Sequence, residues 1–334
     1  MESFEAALHV AQNSEDFDEV QMRLQKYLPE SSMIYGFLLA RKAYKSNVKE
    51  VEKKILYSPH SSLVIATPAF SQDCIQSLSV FWDVSLEEEH TIVKLLKSIR
   101  NFNWTQPVFF YATPMVVLEK LQMLASKGLI GNGLLKPHTL FPSHFYSMIS
   151  QPELEPSLPD GLELRELDEE HGEFMHSQWE YKFSETVSSY KCYLKVFPGV
   201  GVFRKSEDYN DFGDSQRSKE NQQAQEEENL TPDGANDSIH TPVAWSHISP
   251  FNVFTNAYTL PEYRGQKLAL SVTIALAKMS IEKTGSASAV INNGNHASIK
   301  LHERAGFRKQ HAMGYQYFKS AVNTCFFDSL EPFA

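Results

Sequence analysis

Hydrophobic positions follow two different spacings along this chain. Apolar residues recur every three or four positions in Phe17–Tyr27 and every second position in Leu162–Leu167. The first spacing predicts a helix with one buried side, and the second predicts a half-buried strand. Segments of the two kinds alternate throughout, which indicates an α/β (α+β) protein with helices packed on sheets.

The first 150 residues are predicted to form one layered domain. Helices are predicted at Phe17–Tyr27, Glu87–Ile99 and Pro114–Ser126, and strands at Met33–Leu39, Ser62–Thr67 and Pro107–Tyr111. His60 and His90 are isolated, and an isolated histidine is more often a surface residue than a ligand. The sequence therefore predicts no cofactor motif in this half.

A second series of elements begins near Leu162, and the Pro-containing stretch Gln151–Pro159 before it is the predicted domain boundary. Helices are predicted at Asp168–Tyr181, Val187–Val196, about Leu268–Lys283 and Ala297–Ala305; strands are predicted at Leu162–Leu167, Val200–Arg204, Val243–Ile248, Val253–Leu260, Ser286–Asn292 and Met313–Phe318. Residues 160–334 are thus predicted to form a second domain.

Residues 205–240 differ from the rest of the chain. They hold ten acidic and three basic residues, and most of the net charge of −10 therefore lies here. With so few aliphatic residues the segment cannot bury enough apolar surface to offset the entropy of ordering, which predicts a disordered insertion between two strands. A solvated loop is the favoured interpretation, and a docking site for a partner is the alternative.

Composition excludes several classes of protein. Hydrophobic residues at 42% and charged residues at 22% are typical of soluble globular proteins. No apolar run is long enough for a membrane span. The first twenty residues contain no Lys or Arg, which argues against a secretory or transit signal and predicts a cytoplasmic protein. Three scattered cysteines do not suggest a disulfide framework or a zinc site, and the negative charge disfavours nucleic acid.

The most informative stretch is Tyr258–Leu270, where a strand is predicted to lead through a turn into a helix. The turn would present successive backbone N–H groups, from Gly265 to Ala269, at a helix N-terminus, which suits a diphosphate. Arg264 adds positive charge, and Gly265 allows close approach of a ligand. Because Arg-Gly is common at helix starts, this stretch alone is equally compatible with a purely structural turn.

A second stretch, Asn295–Phe307, makes the pattern more specific. Asn295 can cap a helix and Gly306 can end it. One strand would then lead into the phosphate-binding turn and the next would end beside Asn295. Splayed strand ends can admit a pantetheine arm, with Asn295 and free strand carbonyls as hydrogen-bonding partners.

The two stretches resemble motif A (Arg/Gln-x-x-Gly-x-Gly/Ala) and motif B (Asn-x-x-Ala-x-x-Leu-Tyr-x-x-x-Gly-Phe) of the GNAT superfamily. Leu260–Leu268 and Leu24–Gly36 are similar to the glycine N-acyltransferase-like family within it. This resemblance implies two tandem GNAT-like domains with mixed, mostly antiparallel sheets flanked by helices. It implies acyl-CoA or acetyl-CoA as co-substrate, no metal, and contacts from Leu260, Arg264, Gly265, Gln266, Lys267, Leu268, Ala269 and Asn295.

The same resemblance implies transfer of an acyl group to the amine of a small amino acid such as glycine. Two alternatives stay open: an acetyltransferase for other amines or peptides, and a CoA-binding protein without catalysis. The family also brings a mitochondrial location into consideration, although no transit peptide is visible. Oligomeric state is open and a monomer is compatible with the sequence.

Three positions depart from the family pattern. Lys267 stands where motif A usually has glycine, and its ammonium can contact phosphates if it points outward. His302 stands where motif B has the tyrosine that often protonates the departing thiolate. Imidazole can do the same work, and a helix-surface histidine is the alternative. The family's glutamate base aligns without gaps with Val253, which cannot accept a proton.

The hairpin before motif A decides whether His247 can replace that base. A symmetric turn at Ser249–Asn252 would pair Ile248 with Val253 and direct His247 to the other face. A slip of one residue would bring His247 to the site, which makes it a weak candidate for the general base. Ser246 or a water chain is a further alternative, so the base is not assigned from the sequence.

Overall fold

The computed structural model describes residues 7–44, 54–67, 76–179, 186–205 and 240–323. The predicted disordered insertion, apart from its end residues, lies outside these ranges. The helices are α1 Ser14–Gln25, α2 Ser32–Ala43, α3 Glu89–Lys97, α4 Met115–Ser126, α5 Gly172–Ser177, α6 Val187–Val196, α7 Leu268–Thr284 and α8 His296–Ala305. The strands are β1 His9–Val10, β2 Lys54–Tyr57, β3 Val64–Thr67, β4 Gln76–Phe81, β5 Val108–Pro114, β6 Leu135–Met148, β7 Leu162–Glu166, β8 Gly199–Arg204, β9 Ala244–Ile248, β10 Phe254–Thr259, β11 Ala287–Asn292 and β12 Arg308–Ser320.

The described strands form one twelve-stranded sheet in the order β1-β2-β3-β4-β5-β12-β6-β11-β10-β9-β8-β7. Within it, β4/β5 and β10/β11 are parallel and the other neighbours are antiparallel. Two long strands join the halves, because β6 and β12 pair along their length, from Leu135↔Ser320 to Ser147↔Arg308. The predicted mixed, mostly antiparallel sheet flanked by helices is confirmed.

The predicted strand at Met33–Leu39 is wrong, because these residues lie in α2. This helix is buried around most of its circumference, so its sequence lacks the polar face that reveals helical spacing. Gly36 lets α2 approach the loop between β9 and β10 closely. A Cβ built on Gly36 would lie 2.5 Å from the carbonyl oxygen of Phe251, so a larger residue would clash there. The buried residues of α2 are Ser32, Met33, Ile34, Gly36, Phe37, Leu38 and Ala40.

The sequence did not predict β6, the longest strand described. Pro137 and Pro142 lie within it, and proline usually argues against a central strand. The structure places both where regular pairing is interrupted. Pro137 lies beside an irregularity in the pairing with β12, and Pro142 lies one residue beyond the last β11 pair, Ser143↔Asn292.

Helices cover both faces of the C-terminal part of the sheet. On β11, alternate residues Ala287, Ala289 and Ile291 pack in the cluster that contains α7 residues. Val290 points to the opposite face and packs against the cluster that contains α2 residues. On β9, His247 contacts α6 on that second face. α7 and α8 thus pack on the first face, whereas α2 and α6 pack mainly on the second and reach the α7 cluster through Ala40 and Tyr193. Within the described ranges, no helix is both long and apolar enough to cross a bilayer.

Candidate active site

The turn between β10 and α7 has the form predicted from motif A. A short 3-10 turn at Pro261–Tyr263 leads into Gly265 and Lys267, which both adopt left-handed backbone conformations with φ of 81° and 63°. The backbone N–H groups of residues 265–269 donate no hydrogen bond to any described residue. Five successive free donors at the start of a 17-residue helix form a site suited to a phosphate-bearing ligand.

The side chains of this turn add positive charge at its rim. Arg264 is exposed, its Nε donates to the carbonyl of Thr259 at 3.1 Å, and its guanidinium lies 5.6 Å from the ring centre of Tyr258. Lys267 and Gln266 are also exposed. The Leu268 side chain is buried in the core with α7, which leaves only its backbone N–H available. Leu260 is half-buried and its N–H bonds to Val243 at 2.9 Å.

Asn295 occupies the start of α8, as predicted. Its side-chain Oδ1 accepts a hydrogen bond from the N–H of Ser298 at 3.0 Å, and Gly306 ends the helix with φ of 105°. This hydrogen bond engages the side-chain Oδ1 of Asn295. The exposed Asn295 amide nitrogen is therefore the group that can meet a ligand.

A slot opens between β10 and β11. The two parallel strands are paired only at Phe254↔Ala289, although each continues for several residues toward the motif A turn. On the other side of β10, a bulge interrupts the pairing with β9 between Thr255 and Tyr258, and Asn256 within it has φ of 51°. A bulge takes residues out of the hydrogen-bonding ladder and bends the strand. The strand ends therefore diverge, as predicted for a pantetheine slot.

The predicted pairing of Ile248 with Val253 is wrong. Ile248 pairs with Phe254, and His247 pairs with Thr255. The turn is one residue shorter than assumed, because Ser249 donates to the carbonyl of Val253 at 2.9 Å. Asn252 closes this turn in a left-handed conformation with φ of 56°. Ser-Pro-x-Asn is the signal that the sequence offered for such a loop.

The corrected register places His247 on the same face as Thr255, inside the protein. Its side chain is 1% exposed, and its Nδ1 lies 3.2 Å from the carbonyl oxygen of Ile248. This contact assigns the proton to Nδ1 and leaves a lone pair on Nε2, which has no hydrogen-bond partner among the described residues. Burial lowers the pKa of His247 to about 4. The neutral ring can therefore accept a proton or a hydrogen bond.

His302 lies on the other face of the sheet. It is 4% exposed, which excludes the surface-histidine alternative, and its Nδ1 donates to the carbonyl of Ser298 at 2.8 Å. The ring meets Phe307 edge-on, with centres 5.1 Å apart. Burial lowers its pKa, so the resting ring is neutral with its lone pair on Nε2.

Sequence reasoning missed two residues at the bulge. The amide nitrogen of Asn256 donates a hydrogen bond to the hydroxyl of Tyr190, which comes from α6 on the face of His247. An asparagine inside a predicted strand was the local signal for a bulge. Nothing local indicated Tyr190, because its partner is more than sixty residues away in sequence.

One family model matches part of the chain. The model of the family described as FR47-like protein matches residues 237–315, which run from before β9 into β12. A sequence comparison with curated proteins finds no significant match.

Solved structures with a similar fold span nearly the whole chain. An X-ray structure of a Drosophila protein is similar with a TM-score of 0.68 at 16% identity, over 94% of this chain and 99% of that one. A tandem GNAT protein from the clavulanic acid biosynthesis pathway is similar with a TM-score of 0.51 at 11% identity, over 95% and 100% of the two chains. The fold is therefore that of tandem GNAT proteins.

Proposed function

We propose that this protein is an acyl-CoA-dependent N-acyltransferase whose acceptor is the amine of a small amino acid such as glycine. The observation that carries the proposal is the row of free N–H groups at residues 265–269, at the mouth of the slot between β10 and β11. The diphosphate of CoA suits these donors, with Arg264 and Lys267 as added positive charge. The pantetheine arm suits the slot, with Asn295 at its edge.

The reaction requires four steps from the surrounding groups. The acceptor nitrogen attacks the thioester carbonyl carbon, the C–S bond breaks, the nitrogen loses a proton and the CoA thiolate gains one. Backbone N–H groups released by the bulge at Asn256 suit the developing negative charge on the carbonyl oxygen. The Nε2 of His247 has no hydrogen-bond partner among the described residues and is the candidate proton acceptor, although its pKa of about 4 makes it a weak base.

His302 is the candidate proton donor to the thiolate. Burial lowers the pKa of His302 and the Nδ1 bond to Ser298 opposes this only in part, so the form with a proton on Nε2 is a minor species at neutral pH. If His302 donates this proton, the rate falls as pH rises and His302→Phe removes that dependence. An unchanged rate for His302→Phe from about pH 6 to about pH 9 assigns the residue a packing role instead.

A second candidate function is acyl-CoA binding without catalysis. The position expected for the family's glutamate base is Val253, which is buried in an apolar cluster. The two functions make different predictions for the same assay. A catalyst releases free CoA thiol when an amine is present, whereas a binding protein holds acyl-CoA and releases none.

The test combines calorimetric binding of acetyl-CoA and benzoyl-CoA with release of free thiol across a panel of amino acids and peptides. Arg264→Ala is expected to weaken acetyl-CoA binding by about ten-fold, because a charge-assisted contact is lost. Lys283→Ala, with the same change of charge at the far end of α7, is the matched control and is expected to leave binding unchanged. Equal losses in both variants, or no binding by the unaltered protein, contradict the proposal.

A further inference from the structure

We propose that Tyr190 is a positioning residue that holds the bulge of β10 in place and thereby keeps the acyl-CoA slot open. This inference rests on the proposed function for its ligand and on the bulge for its geometry. Tyr190 lies in α6, outside the sheet, and it is not one of the residues that the motifs identify. Its hydroxyl is nevertheless bonded to the one bulge residue with a left-handed backbone, Asn256.

The bulge needs a fixed point, because Asn256 adopts a backbone conformation that side-chain-bearing residues rarely occupy. Asparagine tolerates this region better than most residues, but it does not enforce it. The bond from its side-chain amide to the Tyr190 hydroxyl links the bulge to a helix. A return of Asn256 to the extended conformation would break that bond.

The Tyr190 ring is held firmly enough to serve as this fixed point. The side chain is fully buried at 0% exposure. His247, His176 and Trp179 surround it, with ring centres 4.9, 5.8 and 5.9 Å from its own. Since these contacts involve the ring, Tyr190→Phe removes the hydroxyl while leaving its packing in place.

The position of the bulge determines what the slot can admit. β10 leaves β11 after Phe254, and Asn256 lies two residues further along, where the strands have parted. If β10 straightens, it moves back toward β11 and narrows the slot. The diphosphate turn at residues 265–269 lies beyond the strand and does not depend on this bond. Loss of the hydroxyl is therefore expected to affect the pantetheine arm and not the diphosphate.

The experiment compares Tyr190→Phe with Tyr193→Phe, a buried tyrosine three residues further along α6. Hydrogen exchange of the backbone amides of Thr255 and Tyr258, the paired residues on either side of the bulge, is measured in the ligand-free full-length protein. Affinities are measured for acetyl-CoA and for ADP. ADP has the diphosphate but lacks the pantetheine arm. For Tyr190→Phe we expect exchange and the acetyl-CoA Kd each to rise about ten-fold, with the ADP Kd changed by less than about two-fold.

Asn256→Gly is the reciprocal variant, because glycine accepts the left-handed backbone but cannot bond to Tyr190. It is expected to lose as much acetyl-CoA affinity as Tyr190→Phe, and the double variant no more than either single one. The inference is overturned if exchange and affinity in Tyr190→Phe stay within about two-fold of the unaltered protein. It is also overturned if Tyr193→Phe has the same effect, or if acetyl-CoA and ADP weaken together.

Failure of the proposed function is a separate result. An unaltered protein that binds neither acetyl-CoA nor ADP contradicts that function. The exchange measurement, which needs no ligand, still decides whether the Tyr190 hydroxyl holds the bulge.

Discussion

Asparagine supplies most of the left-handed backbone conformations outside glycine in the described part of the chain. Two of these asparagines frame β10: Asn252 closes its hairpin and Asn256 forms its bulge. Lys267 is also left-handed, but lysine, unlike asparagine, has no particular tendency to adopt that backbone conformation. It stands at the position where motif A usually has glycine. Its exposed side chain adds a positive charge to the turn, where glycine would add only conformational freedom.

The buried His247 and the half-buried His311 should make stability depend on pH. Burial lowers the pKa of both His247 and His311 to about 4, from an ordinary value of 6.5. His311 stacks on Phe145 with ring centres 5.4 Å apart, and both its ring nitrogens are buried without a hydrogen-bond partner in the described structure.

Because the unfolded chain binds these protons more readily, stability is complete above about pH 6.5 and is lost as the pH falls toward about 4. We expect the free energy of unfolding to fall by about 3 kcal/mol per histidine across this window. Urea denaturation at several pH values measures it. His311→Phe should flatten the slope, whereas His90→Gln, at an exposed histidine, should not. Equal slopes in all three proteins contradict this account.

At the scale of elements, the hairpin between β9 and β10 decides which face His247 occupies. Its three-residue loop depends on the backbone conformation of Asn252, whose side-chain amide also donates to the hydroxyl of Thr284 at 3.1 Å. Replacement by alanine or by glycine removes that hydrogen bond equally. The alanine variant, unlike the glycine variant, would also have an unfavourable backbone conformation at position 252.

We therefore expect Asn252→Ala to be less stable than Asn252→Gly by about 1 kcal/mol, measured by urea denaturation. Equal stability of the two variants would mean that the loop does not need the left-handed conformation. The His247 environment, followed through its ring resonances, should stay as it is in Asn252→Gly. A register slip in that variant would contradict the assignment of the loop to backbone conformation.

Elements whose signals are local in sequence were predictable. The motif A turn and the Asn295 cap depend on residues within a few positions of each other, and the structure has both where the sequence placed them. The helix α2 was mistaken for a strand because burial on most sides removes its periodicity. The link between Tyr190 and Asn256 could not be predicted, because it joins residues that only the folded sheet brings together.

At the scale of the molecule, β6 and β12 make the two halves depend on each other. Gln316 on β12 is 1% exposed, donates to the carbonyl of Thr139 at 3.1 Å and accepts from Gln122 at 2.7 Å. Both halves should therefore unfold together. Hydrogen exchange at rising urea concentration should give one midpoint for β3 and β9, and Gln316→Leu should lower both equally. Loss of protection in β3 while β9 stays protected contradicts this.

The two halves differ at the corresponding parallel strand pair. In the N-terminal half, β4 and β5 pair at three successive positions, and the N–H of Val80 contacts the hydroxyl of Thr113 at 3.4 Å. Glu87 lies before α3 and accepts hydrogen bonds from Ser62, which places a carboxylate near that helix start. A negative charge there disfavours a phosphate. These features support the prediction that only the C-terminal half binds acyl-CoA.

The place of β12 in the sheet has a consequence for synthesis of the protein. It lies between β5 and β6 but follows every other described strand in chain order. On the ribosome, the N-terminal half therefore emerges with the facing edges of β5 and β6 unpaired, and it must wait for the C-terminal half before its own sheet is complete. Unpaired edges invite association with other chains. The nascent protein thus needs protection for longer than one whose first domain folds as it emerges.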